Sequence, residues 1–227
     1  MEYCHKPIRS TSKFADTAGH RCWRPRNHEG LCVEFPFLGH MGHVAKRVAS
    51  KIRRDAIMTT GASWKSDDAG PNRIVRWAMQ LSDAELAARG ISMHKLKPII
   101  VAKLREKAAS YEDCMACAQK LTHLAYGMRN APACPRETQE YLESVAGPLL
   151  VGSTCCLVCR EPLDFEMFER ARRGKAVLET SHKDPRLHTP ENVGFAHRDC
   201  NIAQGSRNLS AFYEWIRGIL RRVDASS

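Results

Sequence analysis

The sequence predicts an α+β protein with three parts. A zinc-bound carboxy-terminal domain of short strands and helices follows a mostly helical region and a small amino-terminal zinc module. Three observations lead there. The 10 cysteines fall into three clusters, each with a histidine nearby. Apolar residues recur at helical spacing in the middle of the chain, and short extended stretches appear only near its end. The 227 residues, 43% of them hydrophobic, suffice for one large domain or two to three small ones with a buried core.

The first part spans residues 1–36. It reads Cys4-His5-Lys6-Pro7, then Gly19-His20-Arg21-Cys22, then His28-Glu29-Gly30-Leu31-Cys32. It has little hydrophobic periodicity, so it needs a staple to fold. Cys4, Cys22, His28 and Cys32 offer a Cys₃His set for Zn²⁺, with His5 and His20 as competing ligands.

The second part, 37–147, is predicted to be helical and to recognise DNA. Val44, Val48 and Ile52 recur at i+4 between His43 and Ile57. Lys46, Arg47, Lys51, Arg53 and Arg54 occupy other faces of that helix, and Lys46, Arg47, Arg53 and Arg54 are candidate DNA contacts. A polar break over 63–72 contains Gly70-Pro71. The helical pattern returns over Arg73–Gln80. Ser82-Asp83-Ala84-Glu85 reads as a capping box, and its helix should stop at Gly90. A further helix is expected from Pro98 to Lys120. Leu81 to Leu96 reads either as a helix-turn-helix presenting Ser92, His94, Lys95 and Lys97 or as two packed helices. Cys114, Cys117, His123 and Cys134 form a third candidate metal set, with buried core cysteines as the alternative.

The third part, 148–227, opens at Gly147-Pro148. Cys156-Leu157-Val158-Cys159 and His197-Arg198-Asp199-Cys200 are two knuckles of equal spacing. Together they place four soft ligands around one Zn²⁺. Cys155 is the alternative to Cys156. Extended stretches lie around 177–180 and 193–196. Leu209, Phe212, Ile216, Ile219, Leu220 and Val223 define a closing amphipathic helix.

Between and beside the knuckles lie Leu178-Glu179-Thr180-Ser181-His182-Lys183-Asp184-Pro185, Thr189-Pro190-Glu191-Asn192-Val193-Gly194-Phe195 and Cys200-Asn201-Ile202-Ala203-Gln204-Gly205. Over about the last 75 residues, this order resembles the HNH, or ββα-metal, endonuclease family. The resemblance implies a metal-dependent DNA endonuclease that hydrolyses phosphodiester bonds. His182 would be the general base, since a neutral imidazole can take a proton from water near neutral pH. Asn192 would orient that base through its loop, and Asn201 would ligate a catalytic Mg²⁺ or Mn²⁺. Many members carry a metal-binding carboxylate just before the base, where this chain has Ser181; Glu179, Asp184, His188 or water would have to replace it. Lys183, Arg198 and Arg207 lie close by as candidate phosphate contacts. Cys200 through Trp215 is similar, at lower specificity, to phage recombination nucleases of the endonuclease VII type.

Charge agrees with a polyanionic partner. Lys and Arg total 35 against 25 Asp and Glu, a formal charge of +10, and each neutralised phosphate releases counterions. No apolar run is long enough for a bilayer, and no secretory h-region opens the chain. A cytoplasmic address, in a bacterial or phage-infected cell, is the expectation, and it favours metal over disulfides for the cysteines. Three readings remain open: a site-specific, restriction-type endonuclease; a phage homing, packaging or recombination nuclease; and a non-catalytic zinc-finger protein that binds DNA. Cutting both strands with one centre per chain would require a homodimer.

Overall fold

The computed structural model describes residues 4–7, 20–24, 26–27, 29, 31–59, 74–172 and 175–225. The helical region begins with α1, Gly39–Val44, and α2, Lys46–Ile57. The helix expected over 43–57 is therefore present from Lys46, and the chain bends at Ala45, whose φ of −148° and ψ of 63° are not helical. Val48, Ala49, Ile52 and Ala56 form the buried stripe of α2. The expected break over 63–72 lies outside the described residues.

A 3₁₀ turn, Arg76–Gln80, stands where helix was expected to resume. α3, Asp83–Ala88, starts on the capping box as expected: the Ser82 hydroxyl accepts from the Glu85 N–H, and the Glu85 carboxylate accepts from the Ser82 N–H at 2.8 Å. The helix gives way before Gly90, whose φ of +79° suits glycine. The next element is only a 3₁₀ turn, Met93–Lys95, with Ile91 and Met93 buried. Ser92, His94, Lys95 and Lys97 thus share no recognition helix. The single helix expected over 98–120 is two helices: α4, Pro98–Arg105, and α5, Tyr111–Tyr126. The break arises because the Ser110 hydroxyl accepts from the Asp113 N–H at 3.0 Å and starts a new helix there. α6, Arg136–Ala146, follows.

Beyond it, β1, Ala171–Arg172, pairs with β2, Lys175–Ala176. β3, Leu178–His182, pairs antiparallel with β4, Val193–His197, with Thr180 opposite Phe195. α7, Arg198–Gln204, leaves β4 directly, and α8, Leu209–Asp224, closes the chain. Gly205, at φ +61°, ends α7 in a conformation that side chains resist. The strand–strand–helix order matches the sequence reading.

One apolar core crosses the boundary drawn at residue 147. It runs from Phe37 and Leu38 through Met115, Leu121 and Tyr126 of α5 to Phe195 of β4 and Phe212 of α8. α5 is its spine, packed against α2, α6 and β4. A smaller core gathers Ile74, Met79, Leu86, Met93 and Leu104. The amino-terminal part docks on the helical region through His20, which meets Trp77 and Tyr111 edge-on and pairs with Glu34 at 2.7 Å. Among the described residues no helix is long and apolar enough to cross a membrane.

Candidate active site

The two knuckles close on one point. The ligand atoms of Cys156, Cys159, His197 and Cys200 all lie within 4.8 Å of one another. His197 Nδ1 is 3.4 Å from Cys159 Sγ and 3.8 Å from Cys200 Sγ. Those separations match the edges, about 3.3–3.8 Å, of a tetrahedron with metal bonds of about 2.0–2.3 Å. The turn that shapes the first knuckle needs Arg160 at a φ of +66° and is closed by its N–H on the Cys156 carbonyl. β4 places His197 at its last residue and α7 places Cys200 in its first turn, so this group can hold a metal at the strand–helix junction. Cys155 is exposed and lies outside the group.

β3 alternates, as a strand must. Its odd residues face α7: Glu179 accepts from Asn201 Nδ2 at 2.8 Å and from Arg198, and the buried Ser181 hydroxyl meets Gln204 at 3.5 Å. Its even residues face the helical region: the Thr180 hydroxyl donates to Asp55 at 3.0 Å, and His182 lies 2.9 Å from His188. Among the described residues β3 pairs with β4 alone, and no described strand lies along its other edge. A pocket of about 570 Å³ lies there, lined from one face by Glu179 and Asn201 and from the other by Asp55 and His182. Lys51, Arg54, Arg76, Lys107 and Arg186 also line it.

The pocket is strongly cationic. Asp55 is bonded to Lys51 at 2.6 Å and to Arg54 at 2.9 Å, and although burial opposes it, these two cations hold its carboxyl below the ordinary value. Arg76 is 2% exposed and has no carboxylate partner among the described residues. Its guanidinium donates to the carbonyls of Lys107 and Asp55 at 3.2 and 3.3 Å, and its Nε has no partner. A buried, unpaired cation is costly unless an anion completes it. Burial, then Arg76 and Lys107, pushes the His182 imidazole down to about 3, so it is neutral at pH 7. Burial and Arg76 push His188 down to about 2.

Residues 34–200 match the sequence profile of the DraIII family. The chain belongs to the DraIII family. This is a family of restriction endonucleases. Among solved structures, one described as the crystal structure of a type II restriction endonuclease is similar to the chain at 41% identity and a TM-score of 0.87. It covers 99% of this chain and 100% of its own. A comparison with curated proteins returns no match.

The remaining expectations for this DraIII-family chain divide. Cys4, Cys22 and Cys32 converge within 4.8 Å, and His28 lies outside the described residues. His20 is engaged by Glu34, and His5 meets Trp23 edge-on. Cys114, Cys117, His123 and Cys134 are not brought together as a metal group among the described residues. Cys114 and Cys117 are buried in α5, where burial raises both thiols, Cys114 to about 12, and His123 is bonded to the Gly147 carbonyl at 3.0 Å. They pack as small core residues, as the alternative reading had it.

Of the expected DNA contacts, Arg54 lines the pocket. Lys46, Arg47, Arg53 and Lys183 are exposed outside it, Arg53 lying over Phe35. Arg198 is engaged by Glu179, and Arg207 lies over Trp215 at 4.6 Å. Asn192 staples the loop between β3 and β4. Its side chain accepts from Asp184 N–H at 2.8 Å and donates to the carbonyls of Asp184 and Leu187. Asp55, Arg76 and Lys107 are the pocket residues that sequence reasoning missed, while His188, named there only as a possible metal ligand, is instead bonded at both ring nitrogens. Each of the three missed residues comes from another element, and no local spacing marks it.

Proposed function

We propose that this chain is a metal-dependent, site-specific DNA endonuclease of the restriction type, hydrolysing phosphodiester bonds at an HNH centre. The carrying observation is the β3–β4–α7 unit. It gathers a neutral histidine, an asparagine and a carboxylate around one basic pocket, and membership of a restriction endonuclease family supports the site-specific nuclease part of the reading. His182 is the general base that takes the proton from the attacking water. Asn201 and Glu179 are oxygen donors suited to Mg²⁺ or Mn²⁺. Ser181 is buried against Gln204 and does not itself line the pocket, so Glu179, two residues earlier on the same strand face and lining it, takes the place of the missing carboxylate. A cation there supplies charge compensation to the scissile phosphate and the departing oxygen. Arg76, with Lys107 and Lys51 beside it, receives the phosphate anion.

In this reading 148–227 is the nuclease domain, 37–147 reads DNA and 1–36 is a zinc module. The two converged cysteine groups take structural Zn²⁺, so metal analysis should return about two zinc per chain; a content below one would remove the support for both staples. Two copies of the chain would cut the two strands.

The test is incubation of the purified protein with supercoiled plasmid and Mg²⁺ or Mn²⁺, followed by sequencing of the ends. Recurrent ends at one sequence support the reading. Intact DNA in every form, with DNA binding retained, sinks it. The depressed His182 adds a pH signature. An imidazole at its ordinary 6.5 loses about three-quarters of its neutral form by about pH 6. His182 stays neutral there, so kcat/KM should stay level between about pH 8 and about pH 6, and a fall along an ordinary histidine titration would contradict the assignment.

A further inference from the structure

His188 sits in the loop between β3 and β4, 3% exposed, with both ring nitrogens engaged. Its Nε2 is 2.7 Å from the Ala56 carbonyl, on the last turn of α2, and its Nδ1 is 2.9 Å from His182 Nε2. A carbonyl can only accept, so His188 Nε2 carries the proton. The neutral ring then has a lone pair on Nδ1, so His182 Nε2 must be the donor to it. The lone pair of His182 is thereby left on Nδ1, which has no partner among the described residues. Two hydrogen bonds and one backbone carbonyl thus decide which nitrogen of His182 can accept a proton.

The surroundings hold this relay in place. Asn192 fixes the Asp184 and Leu187 carbonyls just before His188. Asp55, next to Ala56, takes the Thr180 hydroxyl from the same face of β3. His188 has no nitrogen free for a cation.

We propose that His188 is a positioning residue. It holds His182 as the Nε2-protonated tautomer with the Nδ1 lone pair available, and it makes that tautomer depend on the docking of α2 through the Ala56 carbonyl. The middle asparagine acts on the base through His188, and the helical region acts on it through Ala56. The consequence for cleavage rests on His182 being the general base; the tautomer does not.

The experiment has two arms on the full chain. In the first, ¹⁵N-histidine labelling and long-range proton–nitrogen correlation at neutral pH read the tautomers directly. Both His182 and His188 should be protonated on Nε2 and bare on Nδ1. A His182 protonated on Nδ1, or exchanging between tautomers, overturns the proposal whether or not the protein cuts DNA.

In the second arm, His188→Phe keeps a ring in the loop and removes both hydrogen bonds, while His188→Gln retains an amide that can accept from His182 and donate to Ala56. In the phenylalanine variant His182 should exchange between tautomers. Its kcat should fall about 10–100-fold, the range typical of lost orienting partners, with KM and DNA affinity within about twofold. The glutamine variant should recover part of the rate. An unchanged His182 tautomer and unchanged kcat in His188→Phe would show a merely structural histidine. If His188→Phe fails to fold, the tautomers of the wild-type chain still decide.

Discussion

A Cys200→Ser chain is expected to lose the metal at the strand–helix junction and, with it, detectable cleavage. The reason lies in how little else holds that junction. β3 and β4 have five residues each and form a two-stranded sheet, which is marginal alone. α7 has seven residues, too few to be helical in isolation. The four ligands come from two knuckles 38 residues apart, as the Cys159–His197 contact shows, and one metal closes that loop. Structural zinc sites of this kind contribute an apparent ~10–16 kcal/mol, because the site does not exist in the unfolded chain. Asn201 follows Cys200 directly, so losing the ligand also frees the side chain proposed to hold the catalytic cation. Metal analysis should fall by about one equivalent, and plasmid cleavage should disappear. The core built on α5 includes Cys156 and packs against Cys200, so loss of the metal should also lower the melting temperature of the helical region. Cys155→Ser is the control. Cys155 is exposed and outside the group, so that chain should keep metal and rate. A Cys200→Ser chain with full metal and full cleavage would refute the staple.

Local chemistry made this part legible in sequence. Ligand spacing within a knuckle is set by bond lengths, so Cys156, Cys159, His197 and Cys200 are readable without a fold. Likewise, the Ser82–Glu85 capping box needs only residues three apart. The pocket is different. Ala56 and His188 are 132 residues apart, and Asp55 and Thr180 are 125 apart. No periodicity encodes those meetings; they follow from packing α2 and α5 against β4. Arg76 illustrates the same limit, since in sequence it is one basic residue beside a polar break and only burial without a carboxylate singles it out. The points that sequence left open or placed differently have the same origin. Cys114 and Cys117 have knuckle spacing, yet on α5 that spacing puts both on the core face. The helix expected over 98–120 has continuous helical composition, yet Ser110 starts a second helix within it. Ser181 was judged by its position next to His182. Glu179 is one of several candidates to replace it, and in the proposed site strand alternation favours Glu179, on the face that meets Asn201.

The second large effect belongs to His182. In His182→Ala, cleavage should fall about 10²–10⁴-fold, the usual contribution of a positioned general base, equivalent to about 3–5 kcal/mol in the barrier. DNA binding should persist, because the cations that line the pocket are untouched. Replacement from within the pocket is unfavourable. His188 has both nitrogens engaged behind His182, so it cannot turn toward a water without breaking its bond to Ala56. Asp55 accepts from Lys51, Arg54 and Thr180 at once, and its lowered proton affinity makes it a weak base at neutral pH. Single-turnover cleavage of a labelled duplex carrying the sequenced site measures the loss, and a mobility shift in Ca²⁺ measures binding. A variant that binds and cuts like wild type would move the base off His182. Combining His182→Ala with Asp55→Asn would then decide between the two groups on the even-residue side of β3, His182 itself and Asp55 of α2: if the residual rate vanishes only in the double variant, Asp55 is the base, and the relay through His188 serves structure alone. If His182→Ala alone reaches the background rate, adding Asp55→Asn costs nothing further in kcat, because a base already absent cannot be lost twice.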